Sequence, residues 1–243
     1  MTRPANAEPL RGASGRDALV DEFVDNWRGL DGDAWIARGG RDEVRRTIGE
    51  AVRTMVGDAG PETRHRVLAW ATADLASLEL AGLLAEQGCE YVPWPSGSSG
   101  GGGTPDHPQA TGASNGGADG ADAEAAAPTA AGLLTLAAAS DLGITTCSWA
   151  VAETGTIALY ATPSTGRLPS LLPTAHLALV RPSQIVKSVP DGLRLLADHM
   201  AQHGGPPSAV NLVSGPSRSA DIEGDLAVGV HGPRRAGVII GEW

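Results

Sequence analysis

Two cysteines, one phenylalanine and a single lysine stand out as scarcities in this 243-residue chain. Cys89 and Cys147 are too few for a disulfide framework, and an ordinary iron–sulfur cluster takes about four thiolates. Any cluster chemistry therefore has to be carried by another chain, and no cofactor is expected in this one. Each cysteine lies in an apolar run, the usual setting of a buried free thiol. The only lysine, Lys187, follows Gln-Ile-Val, so there is no Walker A loop, and no dinucleotide fingerprint lies between a strand and a helix. No run reaches the roughly 18 apolar residues of a membrane span, and the first twenty residues hold no secretory apolar block. A cytoplasmic location is the expectation. Basic charge is short as well: the formal net charge is -10 and the arginines are scattered, so a nucleic-acid backbone would be repelled.

What is present is enough for a real core, with 42% hydrophobic residues. Residues 1–16 are polar and aperiodic and read as a disordered tail, leaving 17–243 as one α/β domain. Val20, Phe23, Val24 and Trp27 repeat at helical spacing, and Val44, Ile48, Ala51, Val52 and Met55 do so again. Both helices could cover either the core or a neighbouring subunit, so a homo-oligomer is possible. Val67–Ala71, Leu75–Leu84 and Cys89–Val92 read as strand, helix and strand, a right-handed unit that starts a mainly parallel sheet. From Pro95 to about Gly132 the chain turns to Gly, Ser, Ala, Asp and Pro with no lysine or arginine, a flexible insertion within the domain. Gly97–Gly101 and Gly112–Gly116 fit the G-x-S-x-G elbow there, but neither sits between a strand and a helix.

Beyond the insertion, Leu133–Ala139 reads as a helix and Leu142–Thr146 as a strand. Trp149–Tyr160 then reads as a hairpin-like corner turning at Glu153, Thr154, Gly155 and Thr156. That turn is either a tight corner whose hydroxyls satisfy backbone N–H groups or a contact for a small carboxylate or phosphate. His176–Val180 is a strand, and Leu193, Leu196, Ala197 and Met200 mark a helix. His199 and His203 are four residues apart, a metal-ligand spacing. Without an HExxH frame or a third ligand they read as a solvated helix end, and no metal site is assigned.

The richest stretch is Leu212–Arg235. A buried strand ending at Val213 passes to Ser214, Gly215 and Pro216, a turn whose N–H groups could face an anion, with Ser217 and the Arg218 guanidinium beside it. Asp221, Glu223 and Asp225 follow where a helix would begin. His231, Arg234 and Arg235 come next, and adjacent arginines on a strand would face opposite ways. The alternative is a helix cap with Arg218 paired to Asp221 or Glu223. Val238–Ile240 reads as the last strand.

Gly143–Leu159, Gly166–Val180 and Ser214–Arg235, taken in that order, resemble the lactate-utilisation (LUD) domain family. Ser148 stands where many relatives have an acidic residue, and Ser219 where threonine is usual. The resemblance implies a three-layer α/β sandwich related to sugar-phosphate isomerases and CoA transferases, with a mainly parallel central sheet. It also implies a part in oxidising L-lactate to pyruvate beside iron–sulfur partner proteins. In that setting Arg218 is the first choice for a substrate carboxylate, with Thr154, Gly155, Thr156, Ser214, Gly215, Ser217 and Arg234 around the anion. Glu153 and His231 are the candidates to orient or deprotonate the hydroxyl. A non-catalytic assembly subunit and a stand-alone enzyme on sugar phosphates or acyl-CoA remain the alternatives.

Overall fold

Six strands run parallel in one twisted sheet, and their sequence order explains where a ligand can enter. The computed structural model describes residues 15–58, 64–94, 129–162, 164–220, 226–228 and 232–243. The tail to residue 14, the insertion from 95 to 128, Asp221, Glu223, Asp225 and His231 lie outside the described residues. The first helix takes in two residues placed in the expected tail. Helix α1 (Gly15–Gly29) already includes Arg16, whose guanidinium donates to the carbonyls of Pro182 and Ile185 at 3.2 Å.

The chain continues through β1 (Asp33–Ala37), α2 (Arg41–Val56), β2 (Arg66–Trp70), α3 (Ala73–Ala76), α4 (Leu80–Glu86) and β3 (Glu90–Trp94). The apolar spacing of α1 and α2 buries Phe23, Trp27, Val44 and Ile48 in the core of this chain. The single helix expected over Leu75–Leu84 is two. Thr72 caps the first, while Arg45 of α2 donates to the Leu78 carbonyl and pairs with Glu79, which adopts a left-handed conformation (φ 50°). These contacts turn the chain between the two helices.

After α5 (Ala130–Ala138), which takes in the expected end of the insertion, come β4 (Leu142–Thr146), β5 (Trp149–Val151), β6 (Thr156–Ala161), β7 (Ala175–Val180) and β8 (Ile185–Val186). Helix α6 (Val189–His203), β9 (Ala209–Val213), β10 (Arg218–Ala220), β11 (Leu226–Val228) and β12 (Arg235–Gly241) complete the described elements. The parallel sheet has the order β1-β12-β7-β4-β2-β3. Ile144, Leu177 and Gly237 share the face covered by α2; a Cβ on Gly237 would sit 3.0 Å from Met55. On the other face the chain at Pro169 lies so close to Gly143 that a side chain there would meet the Pro169 carbonyl.

A second sheet, β8-β5-β6-β9, holds the expected β5–β6 hairpin and the expected strand ending at Val213. One of its faces, carrying Ala150, Ile157 and Leu159, joins the main core, while Trp149, Val151, Ala158 and Tyr160 pack under Leu196 of α6. Strand β9 is not the fully buried strand expected: it lies at this sheet's edge, half-buried, with Leu212 56% exposed. Both cysteines are buried and free. Among the described residues no helix is long and apolar enough to cross a membrane.

Candidate functional site

The turn between β5 and β6 is held by α1. Gly155 is left-handed (φ 57°), and a Cβ there would stand 2.6 Å from the Trp27 nitrogen, so only glycine lets the helix approach. Asn26 donates to the Ala152 carbonyl at 2.8 Å, fixing the same contact from the side. Glu153 is spent on α6: its N–H donates to the Lys187 carbonyl, and its Oε1 accepts from the Val189 N–H at 3.0 Å. Thr154 donates to the Thr156 hydroxyl, which lies 2.8 Å from the Ser214 hydroxyl.

Ser214 opens the other half of this cluster. Gly215 is left-handed as well (φ 77°), with a Cβ position only 2.7 Å from the Leu30 carbonyl. The Ser217 N–H donates to the Pro233 carbonyl at 2.9 Å. That bond lays the chain beside the segment entering β12, and it continues as β10, which pairs with β11 in an antiparallel hairpin. Residues 218–220 are therefore strand, and the helix start expected at 221–225 lies outside the described residues. For Arg218, the proposed partners Asp221 and Glu223 lie outside the described residues. Its guanidinium pairs with Asp31 and donates to the Leu30 carbonyl.

Thus Thr154, Gly155, Thr156, Ser214, Gly215 and Arg218 come together at the end of α1, as neighbours of one another. Arg234 and Arg235 divide as their strand geometry requires. Arg235 binds Asp33 at 2.8 Å and the Met55 carbonyl at 3.3 Å, whereas Arg234 is exposed and contributes its N–H to the Thr174 carbonyl.

A cavity of about 500 Å³ opens elsewhere, at the carboxyl ends of the parallel strands. From β2 the chain winds one way to β3, then returns to β4 on the other side of β2 and proceeds to β7 and β12. The gap between β2 and β4 is thus the topological switch point, the common ligand position in open α/β sheets. Trp70 ends β2, Thr146 ends β4, and both line the cavity with Ser148, Tyr160, His199 and Asp198. Sequence reading missed this site, because its residues come from three segments spread between Trp70 and Gln202. The ends of two apolar strand runs, at Trp70 and Thr146, were the available signal.

Its walls are braced from behind. The Trp70 indole N–H donates to the Gly166 carbonyl at 2.9 Å, and that of Trp149 to the Tyr160 hydroxyl at 2.8 Å. Burial pushes the Tyr160 hydroxyl above the ordinary phenol range, with the Trp149 bond acting in the opposite sense. His199 is not the solvated residue expected. It is half-buried, with its ring 4.7 Å from Tyr160 and 4.1 Å from His203, the second pair stacked.

Deeper in the fold, His176 lies 2.9 Å from the Thr145 hydroxyl, and burial pulls its pKa down to about 4. Burial pushes the Cys147 thiol up to about 12. Among the described residues no group of three or more His, Cys, Asp or Glu side chains could hold a metal ion.

Comparison with known proteins bears on the whole chain. A stretch of 103 residues is 42% identical to lactate utilization protein C of Bacillus licheniformis, covering 42% of this chain and 43% of that protein. Lactate utilization protein C 1 of Bacillus mycoides is 44% identical over 107 residues, 44% of this chain and 46% of the relative. The Halalkalibacterium halodurans protein C is 43% identical over 110 residues, 45% and 48% of the two chains. The matched stretch thus spans less than half the length of each of these relatives. A crystal structure of a DUF162 family protein from Deinococcus radiodurans shares the fold, with a TM-score of 0.53 and 20% identity over 94% of this chain and 99% of that one. The sequence profile of the LUD domain matches residues 39–240, so this chain belongs to the LUD domain family.

Proposed function

We propose that this protein serves lactate utilization, as a component of a multi-protein system that oxidises L-lactate to pyruvate with iron–sulfur partner proteins. The observation that carries this reading is the likeness to lactate utilization protein C within a LUD domain match. The reaction breaks the α-C–H and O–H bonds of lactate and releases two electrons and two protons. Iron–sulfur clusters on the partners would supply the acceptor for these electrons. This chain's own donor set fits that division of labour: its two thiols are buried, and that of Cys147 stays protonated at neutral pH.

A lactate carboxylate at the Ser214–Arg218 turn would share the Arg218 guanidinium with Asp31, with Glu153 and His231 as the groups proposed to handle the hydroxyl proton. That existing pair favours a second reading, in which the chain assembles or positions the oxidising partners and does no chemistry itself.

Anaerobic, lactate-dependent dye reduction by the purified chain, alone and with its iron–sulfur partners, tests the proposal. Activity in the mixture only is expected. Activity of the chain alone would assign it a redox group of its own, and none in either case would favour sugar-phosphate or acyl-CoA chemistry. In the active mixture, Arg218→Ala raises KM for lactate if Arg218 holds the carboxylate. An unchanged KM selects the assembly reading.

A further inference from the structure

The cavity at the β2–β4 switch point has a lining with definite chemistry. Tyr160 accepts the Trp149 indole N–H, and Ser148 accepts the Tyr160 backbone N–H at 3.3 Å; among the described residues neither hydroxyl gives its own proton to a protein acceptor. Across the cavity, α6 presents the Asp198 carboxylate, which only accepts, and the Gln202 amide, which does both. Donors and acceptors therefore share one space, as the hydroxyls of a sugar ring require.

Charge and size narrow the ligand further. Among the described residues the lining contains no lysine or arginine. Asp198 makes the cavity unfavourable for a carboxylate or phosphate. About 500 Å³ is several times the volume of a three-carbon acid, and the space continues past Thr162 and His199 into a second lobe of about 650 Å³. That lobe is walled by Gly204, Gly205, Pro206 and Pro207 and by the His203 ring, flat and largely apolar surfaces.

We infer that this two-lobed crevice binds an uncharged sugar ring carrying a flat apolar substituent, the chemistry shared by nucleosides and aryl glycosides. The sugar hydroxyls pair with Tyr160, Ser148, Asp198 and Gln202 in the inner lobe. The substituent lies against His203 and the prolines in the outer one. The inference does not depend on the lactate reading.

Isothermal titration calorimetry on the full chain tests it with adenosine, uridine and 4-nitrophenyl β-D-glucoside as neutral probes, and AMP, L-lactate and inorganic phosphate as charged ones. Saturable binding of at least one neutral probe is expected, and which one binds separates the nucleoside from the glycoside source. AMP should bind about tenfold more weakly than adenosine if adenosine is the binder. Asp198→Asn should weaken the neutral probe by about tenfold while narrowing the gap to AMP, a change of selectivity that altered folding would not produce. Tyr160→Phe should also weaken it; because that variant loses the Trp149 bond, Gln202→Leu on the exposed face of α6 provides the independent check. Binding of lactate or phosphate in place of every neutral probe, binding of no probe, or neutral binding indifferent to Asp198→Asn and Gln202→Leu would overturn the inference. None of these outcomes alters partner-dependent dye reduction, so the two readings fail separately.

Discussion

Arg218 and Asp31 form an ion pair that fastens the turn after β9 to the end of α1, 187 positions back along the chain. The pair explains why a guanidinium placed beside a glycine turn need not be waiting for an anion. Its Asp31 side chain is 77% exposed, so a double-mutant cycle of Arg218→Ala and Asp31→Asn should give a coupling of about 0.5 kcal/mol in urea unfolding. A coupling near zero would return Arg218 to the pool of free cations open to a ligand.

Gly155→Ala should destabilise the protein by about 2 kcal/mol or more. The substitution places a Cβ in a left-handed conformation and against the Trp27 backbone. Urea midpoints of the two proteins measure it, and the same change at exposed Gly204, which is left-handed but meets no neighbouring atom, should cost less.

Acid should weaken the fold through His176. Its pKa is about 4 in the folded protein against 6.5 for the free side chain, so the unfolded chain binds the extra proton between those values. This contribution to stability is complete above pH 6.5 and declines as the pH falls toward 4. The loss amounts to about 3 kcal/mol over that window. Stability against pH for His176→Gln, which can keep a bond to Thr145, should be flatter by that amount.

Trp149→Phe should cost about 1–2 kcal/mol, because it leaves the buried Tyr160 hydroxyl without its indole donor. Tyr160→Phe in the same background should add little beyond its own packing change. Thermal unfolding of the single and double variants reads the difference.

The sequence made the apolar strands, the two N-terminal helices and the Glu-Thr-Gly-Thr hairpin legible, since each depends on local periodicity or turn chemistry. β1 was missed, because Asp33–Ala37 is short and buries only Ala37 fully. β8 was missed because two residues carry no period. Leu75–Leu84 kept its helical spacing while Arg45, thirty positions earlier, broke the helix. Glu153 and Arg218 were legible as residues beside turns, but their partners, Val189, Leu30 and Asp31, are set by packing against α6 and the end of α1. The crevice was invisible for the same reason: Trp70, Thr146, Tyr160 and Asp198 meet only through the order of the strands.

That order has a consequence for the newborn chain. β1 hydrogen-bonds in the sheet only to β12, and β12 also fills the place between β1 and β7. During translation, residues 33–37 therefore wait for residues 235–241 to leave the ribosome before either edge of the gap is closed. Until then the nascent protein exposes two apolar strand margins, the condition under which a holding chaperone is of most use.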